Sequence, residues 1–517
     1  MGKEKKYDIV RSGLLVSAIT LIAKIISFGR DMLLANYFGA TFISDIILTS
    51  TTLLLLLTTF IRSSFAAAYL PIATDVYFSG DLQKRERFFS TIYETAFIIG
   101  FILMLLEAVF IEPLIHILMP GFEGETLQTL KLMMLIQLPI VPLSFLGAVN
   151  SGNLRLLNKF GVSEISTGLI ALFYVIYLIL YKQNANAIGI SICADFAYFF
   201  SFLLCFSVVY SSNIKLKCFF KLKEIVHDCK IIFFAMLPFM LSNSVKEINV
   251  FADKTFASLL EPGSITMQTY ASKMTVTEVG LIATAISLVV FSQASKVNTL
   301  GDKEKLCEIV ESGINFVNTL MIPCCVLTIV YSSEIITVLF GRGDFTSENV
   351  RITANTMAIY AVGLCGAGIE EVLLNTMYAT KHRNYPMVVS IISIIINILL
   401  NILLYKPFGI YGLALSSTFV MLGKVPFYVF YVVVNIVPSL RKKSLIKDMF
   451  RTVVAATLMG IFGWQCKYYL SFFVQATWLI LFLSVVLSLC VLCTLLIYLN
   501  NEYALKGFYK IRHLFNS

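Results

Sequence analysis

The chain has 517 residues, 58% of them hydrophobic and 14% charged, with a mean hydropathy of +0.83. That balance excludes an ordinary soluble domain. Runs such as Phe97–Ile111, Val388–Tyr405 and Leu479–Tyr498 approach or reach the ~20 apolar residues that cross a bilayer as a helix. They lack the alternation of a barrel strand. The formal charge of +9 points to an anionic partner only if the basic residues are suitably placed.

The fold class expected is therefore an all-α polytopic membrane protein with about fourteen transmembrane helices. In chain order, spans 1–6 fall near 10–36, 42–72, 88–111, 128–150, 160–181 and 187–210. Spans 7–12 fall near 230–259, 266–293, 308–332, 351–379, 384–405 and 410–436, and spans 13 and 14 near 450–470 and 474–499. Short charged segments at 74–88 and 294–308 are expected to lie along the inner membrane surface. The eleven cysteines are scattered through apolar runs, apart from the adjacent Cys324 and Cys325, and are expected as small buried hydrophobes.

With the N-terminus in the cytoplasm, 27 of the 40 lysines and arginines border inner segments, six border outer ones and seven lie within spans. This is the positive-inside pattern, and it puts both termini in the cytoplasm. A shift of about 222 residues brings features into coincidence. Phe28–Asp31 meets Phe251–Lys254, Gly39 meets Gly263, Ser79-Gly-Asp meets Leu300-Gly-Asp, Lys159 meets Lys381, and Gly189 meets Gly412. Two parallel six-helix repeats follow, with a C-terminal helix pair outside them. The domains expected are 1–212, the N-terminal six-helix bundle; 213–229, a basic cytoplasmic linker; 230–438, the C-terminal six-helix bundle; and 439–517, spans 13 and 14 with a cytoplasmic tail.

A charge at mid-bilayer costs roughly 2.5–3.5 kcal/mol on insertion scales and marks a protein interior or a wet cavity. The intramembrane basic residues are Lys24, Arg30, Arg62, Lys246, Lys254, Lys273 and Lys424. Six of them lie on the first two spans of each repeat. The stretch Ile22–Asp45 is accordingly expected as one wall of a cationic, water-filled pocket. Phosphate or pyrophosphate suits such a pocket, because arginine and lysine give it charge-assisted hydrogen bonds. An amphiphile with an anionic head and a long lipid tail fits best. Structural alternatives stand beside this reading. Arg30 can pair with Asp31 or Asp45, Lys254 with Asp253, Lys246 with Glu247, and Lys424 with Glu370 or Glu371. Asp253, Asn397, Asn401 and Ser416–Thr418 offer oxygens of the kind a hard cation such as Na⁺ takes, unless the amides only join neighbouring helices. There is no GxxxxGK[ST] loop and no catalytic constellation around the four histidines, so no enzyme is expected. Nothing points to nucleic acid.

The run Gly29-Arg-Asp-Met-Leu-Leu-Ala-Asn-Tyr-Phe-Gly-Ala-Thr41 with Ser44-Asp45 resembles the N-terminal signature of the MurJ (MviN) family. Ala252–Ile265 and Tyr270-Ala-Ser-Lys273 resemble it as well. The resemblance covers essentially the whole chain and extends to the multidrug/oligosaccharidyl-lipid/polysaccharide exporter superfamily. It implies a flippase in the bacterial inner membrane; a monomer is expected. Such a protein moves lipid II, the undecaprenyl-pyrophosphate-linked peptidoglycan precursor, to the outer leaflet by alternating access. Carried over by motif, the head-group residues are Lys24, Arg30, Asp45 and Lys273, with Arg62 standing in for a basic residue where Thr58 and Thr59 occur. A sodium site in relatives maps to Asp253, Asn397, Asn401 and Ser417. The family usually has arginine at the positions of Lys24 and Lys273, and relatives with a sodium site carry aspartate at that of Asn401. Other readings are a flippase for another polyprenyl-pyrophosphate-linked oligosaccharide, a cation-coupled multidrug exporter, or a scaffold of a cell-envelope complex.

Overall fold

The computed structural model describes residues 3–212, 214, 216, 230, 236, 247–440 and 442–499, without the side chains of 3–14, 57, 60–64, 66–68, 183 and 442–444. The chain divides into two compact units, Met1–Gly263 and Ser264–Ser517.

In the first unit, α1 (Lys3–Phe38) is followed by α2 (Phe42–Leu54), which Thr41 opens with a reciprocal capping box to Ser44. After a break at Leu55 come α3 (Leu56–Phe78) and α4 (Leu82–Leu118). Next are α5 (Gly124–Ile136), α6 (Ile140–Leu156), α7 (Phe160–Tyr181), α8 (Ala187–Tyr210) and α9 over 247–258. In the second unit, α10 (Ser264–Glu278) runs through a π-turn, Val279–Ala283, into α11 (Thr284–Leu300). It is followed by α12 (Lys303–Val330), α13 (Ser332–Phe340), α14 (Ser347–Val362), α15 (Leu364–Ala379), α16 (Asn384–Phe408), α17 (Ile410–Asn435), α18 (Lys442–Phe473) and α19 (Thr477–Tyr498).

The repeat read from the sequence recurs as packing. In the first unit α3 and α4 pack on α6, and α6 and α7 on α8; in the second α11 and α12 pack on α15, and α15 and α16 on α17. Asp81 and Asp302 cap the helices that follow them, accepting from the backbone N–H of Lys84 and Lys305 at 3.0 Å each. The coincidence of Gly189 with Gly412 has a steric cause. A Cβ at Gly189 would lie 2.0 Å from Tyr177 Oη, and one at Gly412 would lie 2.1 Å from the Leu404 carbonyl oxygen. In the second unit α18 packs on α12 and α19 on α18, with Tyr331 Oη and Ser488 Oγ 3.0 Å apart.

Several expectations change. Eight helices are long and apolar enough to cross a membrane, or ten if each bent pair counts as one span, among the described residues. The full fourteen are not all matched by such helices. Expected span 2 is broken into α2 and α3, and span 4 is α5 and α6 bent by 50°. The bend has Gln137 and Pro139 at the break, where proline removes a backbone donor. Span 10 is α14 and α15, bent by 41° at Gly363. The segments at 74–88 and 294–308 are not separate surface helices. Their aspartate caps start α4 and α12 two or three residues after the preceding helix ends. At 37 residues, α4 is about 55 Å long, well beyond the ~30 Å hydrocarbon core. The cysteine expectation fails at Cys490 and Cys493, which share a Cys-x-x-Cys spacing on α19 and are exposed.

A buried polar network fixes the core of the first unit. Tyr69 Oη donates to Asn153 Oδ1 at 2.5 Å, Asn153 Nδ2 donates to Tyr93 Oη at 3.3 Å, and Tyr93 also bonds Asn150. Three helices, α3, α4 and α6, are tied this way. Asn153→Ala strands the Tyr69 hydroxyl and should lower stability by about 1–2 kcal/mol. Thermal unfolding of the purified protein checks this, with Tyr69→Phe paired to it as the second arm of a double-mutant cycle.

Candidate functional site

Two adjoining chambers lie inside the first unit. The smaller, about 280 Å³, is lined by Arg30 and Leu34 of α1, Thr51 and Thr52 of α2, Tyr174 of α7 and Glu247 of α9, among others. The larger, about 450 Å³, carries Arg155 and a set of hydroxyls: Ser144 and Ser151 on α6, Ser163 and Ser166 on α7, Ser201 on α8. Thr59, Ile170, Tyr198 and Glu247 line both. The stretch expected as one wall of a pocket therefore does form a wall, through Arg30 and Leu34.

Helical spacing puts these groups on common faces. Ser144, Ala148, Ser151 and Arg155 recur three to four residues apart on α6. The hydroxyls are paired across helices: Ser151 Oγ is 3.2 Å from Ser163 Oγ, and Ser166 Oγ is 2.5 Å from Ser201 Oγ. Thr51 Oγ1 donates to Gln137 Oε1 at 3.1 Å, and Gln137 Nε2 donates to Ser191 Oγ at 3.4 Å. A chamber of this size is within the usual range for a bound small molecule or head group. Together the two chambers offer hydroxyl donors and acceptors, one guanidinium group each and a shared carboxylate, which suits a polar head bearing hydroxyls and phosphate.

Most of the residues expected at the site have a definite place. Arg30 is 26% exposed and lines the smaller chamber. Its Nε and Nη2 donate to Asp31 Oδ1 at 3.0 and 2.8 Å, and its guanidinium stands 5.6 Å from the Tyr174 ring centre. Of the two partners left open for Arg30, the structure shows Asp31. Lys24 is half-buried on α1, lines neither chamber and has no hydrogen-bond or ion-pair partner among the described residues. Asp45, 3% exposed, accepts the backbone N–H of Gly263 at Oδ2, 2.7 Å away. Lys273 is half-buried on α10 in the second unit. The side chain of Arg62 and the whole of Lys246 lie outside the described residues. Lys254 turns to Thr52, its Nζ donating to Oγ1 at 3.4 Å, rather than to the neighbouring Asp253. Lys424 forms its expected pair, with Glu370 at 2.6 Å.

Of the oxygens expected for sodium, Asn397, Asn401 and Ser417 come together in the second unit. Asn397 Nδ2 donates to Ser417 Oγ at 3.5 Å, and Asn401 Nδ2 donates to Asn397 Oδ1 at 3.3 Å. Both asparagines are buried, at 2% and 0% exposure. Amide and hydroxyl oxygens fit a hard monovalent cation by donor type. The trio carries no formal charge, and Asp253 belongs to the first unit.

The residues missed by sequence reading are Thr51, Thr52, Tyr174, Tyr198, the serines and Arg155. In the sequence Arg155 is one of the basic residues that border inner segments. The serine spacing on α6 was the available signal.

A family model described as "Lipid II flippase MurJ" matches residues 34–501. The chain belongs to the lipid II flippase MurJ family. Family relatives include the probable lipid II flippase MurJ of Buchnera aphidicola subsp. Schizaphis graminum, 25% identical over 414 residues and covering 80% of each chain. That of Haemophilus influenzae is 23% identical over 497 residues, covering 89% of this chain and 94% of its own. A solved structure of lipid II flippase MurJ in an inward closed conformation superimposes with a TM-score of 0.78 at 25% identity, over 94% of this chain and 98% of that one. An inward-facing multidrug resistance MATE transporter of the MOP superfamily is similar in fold, with a TM-score of 0.66 at 13% identity, over 83% of this chain and 99% of that one. The multidrug alternative thus has fold-level likeness alone, while the flippase family has sequence and fold.

Proposed function

We propose that this chain flips lipid II from the inner to the outer leaflet of the bacterial inner membrane, by alternating access, for peptidoglycan synthesis. The observation that carries the reading is the family match over residues 34–501. The polar chambers with Arg30 and Arg155 in their walls support it. Its ligand is the lipid-linked pyrophosphate, and its work is transport rather than bond-making.

Arg30 engages the pyrophosphate by exchanging hydrogen bonds with Asp31 for hydrogen bonds with phosphate oxygens. Asp31 fixes the guanidinium plane before the substrate arrives, which lowers the ordering cost on binding. Lys24 adds positive charge on the same helix as Arg30, and Lys273 is the basic residue of the second unit proposed to serve the head group in the transport cycle. Asp45 acts through the backbone it holds. The hydroxyls of the larger chamber accept and donate hydrogen bonds to the sugar part of the head. Asn397, Asn401 and Ser417 would hold Na⁺ through their amide and hydroxyl oxygens, and the ion would supply a coupling charge.

The test is complementation of a strain depleted of its own lipid II flippase. Lys24→Ala, Arg30→Ala and Lys273→Ala should each lower lipid II translocation by about 10- to 100-fold, the worth of one charge-assisted hydrogen bond of ~1.5–3 kcal/mol. Full translocation by all three variants overturns the assignment.

A further inference from the structure

The second span of each repeat is interrupted at matching places. In the first unit the break is at Leu55, between α2 and α3. A shift of about 222 residues carries it to the end of α10, where the π-turn Val279–Ala283 begins. The polar groups at the two breaks differ. Thr58 Oγ1 closes onto the Leu55 carbonyl at 2.8 Å. The second unit has a carboxyl group there, Glu278.

Glu278 Oε1 accepts from Thr328 Oγ1 of α12 at 2.8 Å. Its Oε2 is sealed from solvent and has no hydrogen-bond partner among the described residues. The groups that act on it from α12 are the thiols of Cys324 and Cys325, and Cys365 of α15 lies against Cys325. None of these is cationic. Of the charged groups on other helices of the unit, Lys424 of α17 is held by Glu370 of α15 at 2.6 Å. Glu371 of α15 adds negative charge. Lys273 precedes Glu278 by five residues on α10, about 140° around the helix. An ionised carboxylate here keeps one oxygen sealed without a donor, at a cost of several kcal/mol inside a span. Protonation removes the charge and turns that oxygen, or its twin, into a donor.

The position matters because of the turn that follows. A π-turn holds one residue more than an α-turn. Regularising it would rotate α11 against α10 by about 100° and shift it by about 1.5 Å. A regular α-helical turn is the alternative arrangement open to it.

We propose that Glu278 is a proton-binding site that sets the arrangement of the Val279–Ala283 turn and so couples proton movement to the transport cycle. The carboxylate takes one proton from water in one arrangement and returns one proton to water in the other, so no other reactant is consumed. The coupling half of this proposal rests on the flippase reading; the proton site does not.

The full chain in lipid nanodiscs is examined by infrared difference spectroscopy across a pH titration. The expected result is a titrating carboxyl C=O band that is lost in Glu278→Gln and shifted along the pH axis in Thr328→Val. A full set of carboxyl bands in Glu278→Gln overturns the proton site. The same proteins in vesicles are then given labelled lipid II and an imposed pH gradient. Wild-type translocation should rise several-fold with the gradient, and Glu278→Gln should lose that stimulation. Equal stimulation in the two overturns the coupling. A titrating band with no lipid II translocation by the wild type leaves the site standing and overturns the flippase reading together with the coupling.

Discussion

Lys424→Ala should destabilise the protein by about 3–5 kcal/mol, the cost of leaving a buried charge without its partner. Lys424 of α17 and Glu370 of α15 meet at 2.6 Å, with side chains 18% and 14% exposed. Both are mostly enclosed, so water replaces the missing partner only in part. Glu370→Ala should cost a similar amount from the other side. The double variant Lys424→Met/Glu370→Gln removes both charges with little loss of volume and should recover most of the stability. Thermal unfolding of the four proteins in one detergent ranks them. The pair joins α15 to α17, which also pack on each other, so the loss should appear in global unfolding. If Lys424 acted instead on substrate, Lys424→Ala would lower translocation and leave the unfolding midpoint where it was.

That pair was readable from the sequence, because a lysine within one span and two adjacent glutamates within another have few other ways to be neutralised. The repeat was readable for a similar reason: glycines at close approaches and aspartates at helix starts answer local demands, and the demands recur. Arg30 was legible as an intramembrane charge, but its choice between Asp31 and Asp45 depended on how α1 meets α2. The breaks were hidden, since Leu55 sits in a run of leucines and Val279-Gly-Leu-Ile-Ala283 contains no proline to mark a change of helix type. Glu278 is not legible in the same way, because a sequence does not show that one carboxyl oxygen is sealed. Glu107 Oε2 and Asp195 Oδ1, each buried without a partner among the described residues, escaped for the same reason. The hydroxyl-lined chamber needed the packing of α6, α7 and α8, and serine inside a span is too common to announce it.

Gly263→Ala should prevent the protein from accumulating in folded form. Gly263 has φ +89°, and a Cβ there would lie 2.2 Å from the Ala40 carbonyl oxygen and 2.5 Å from its carbon. The left-handed conformation costs an alanine about 1–2 kcal/mol. The overlap is with backbone, which no rotamer change relieves, and forcing it adds about 1–3 kcal/mol. Moving the turn away breaks the 2.7 Å bond from the Gly263 N–H to Asp45 Oδ2, worth about 1.5–3 kcal/mol for a charged acceptor. Either way the total is about 2–5 kcal/mol, a large share of the whole stability of many proteins. Asp45→Asn keeps an acceptor oxygen and should be far milder than Gly263→Ala, with Asp45→Ala between the two. Gly423→Ala is the control: nothing lies within 4 Å of a Cβ there, and alanine is the better helix former by about 0.5–1 kcal/mol. Folded yield by size-exclusion chromatography and thermal unfolding rank the four. Wild-type yield and unfolding for Gly263→Ala would mean that the turns at Gly39–Ala40 and Gly263 do not touch, and Asp45 would then be released to act on substrate.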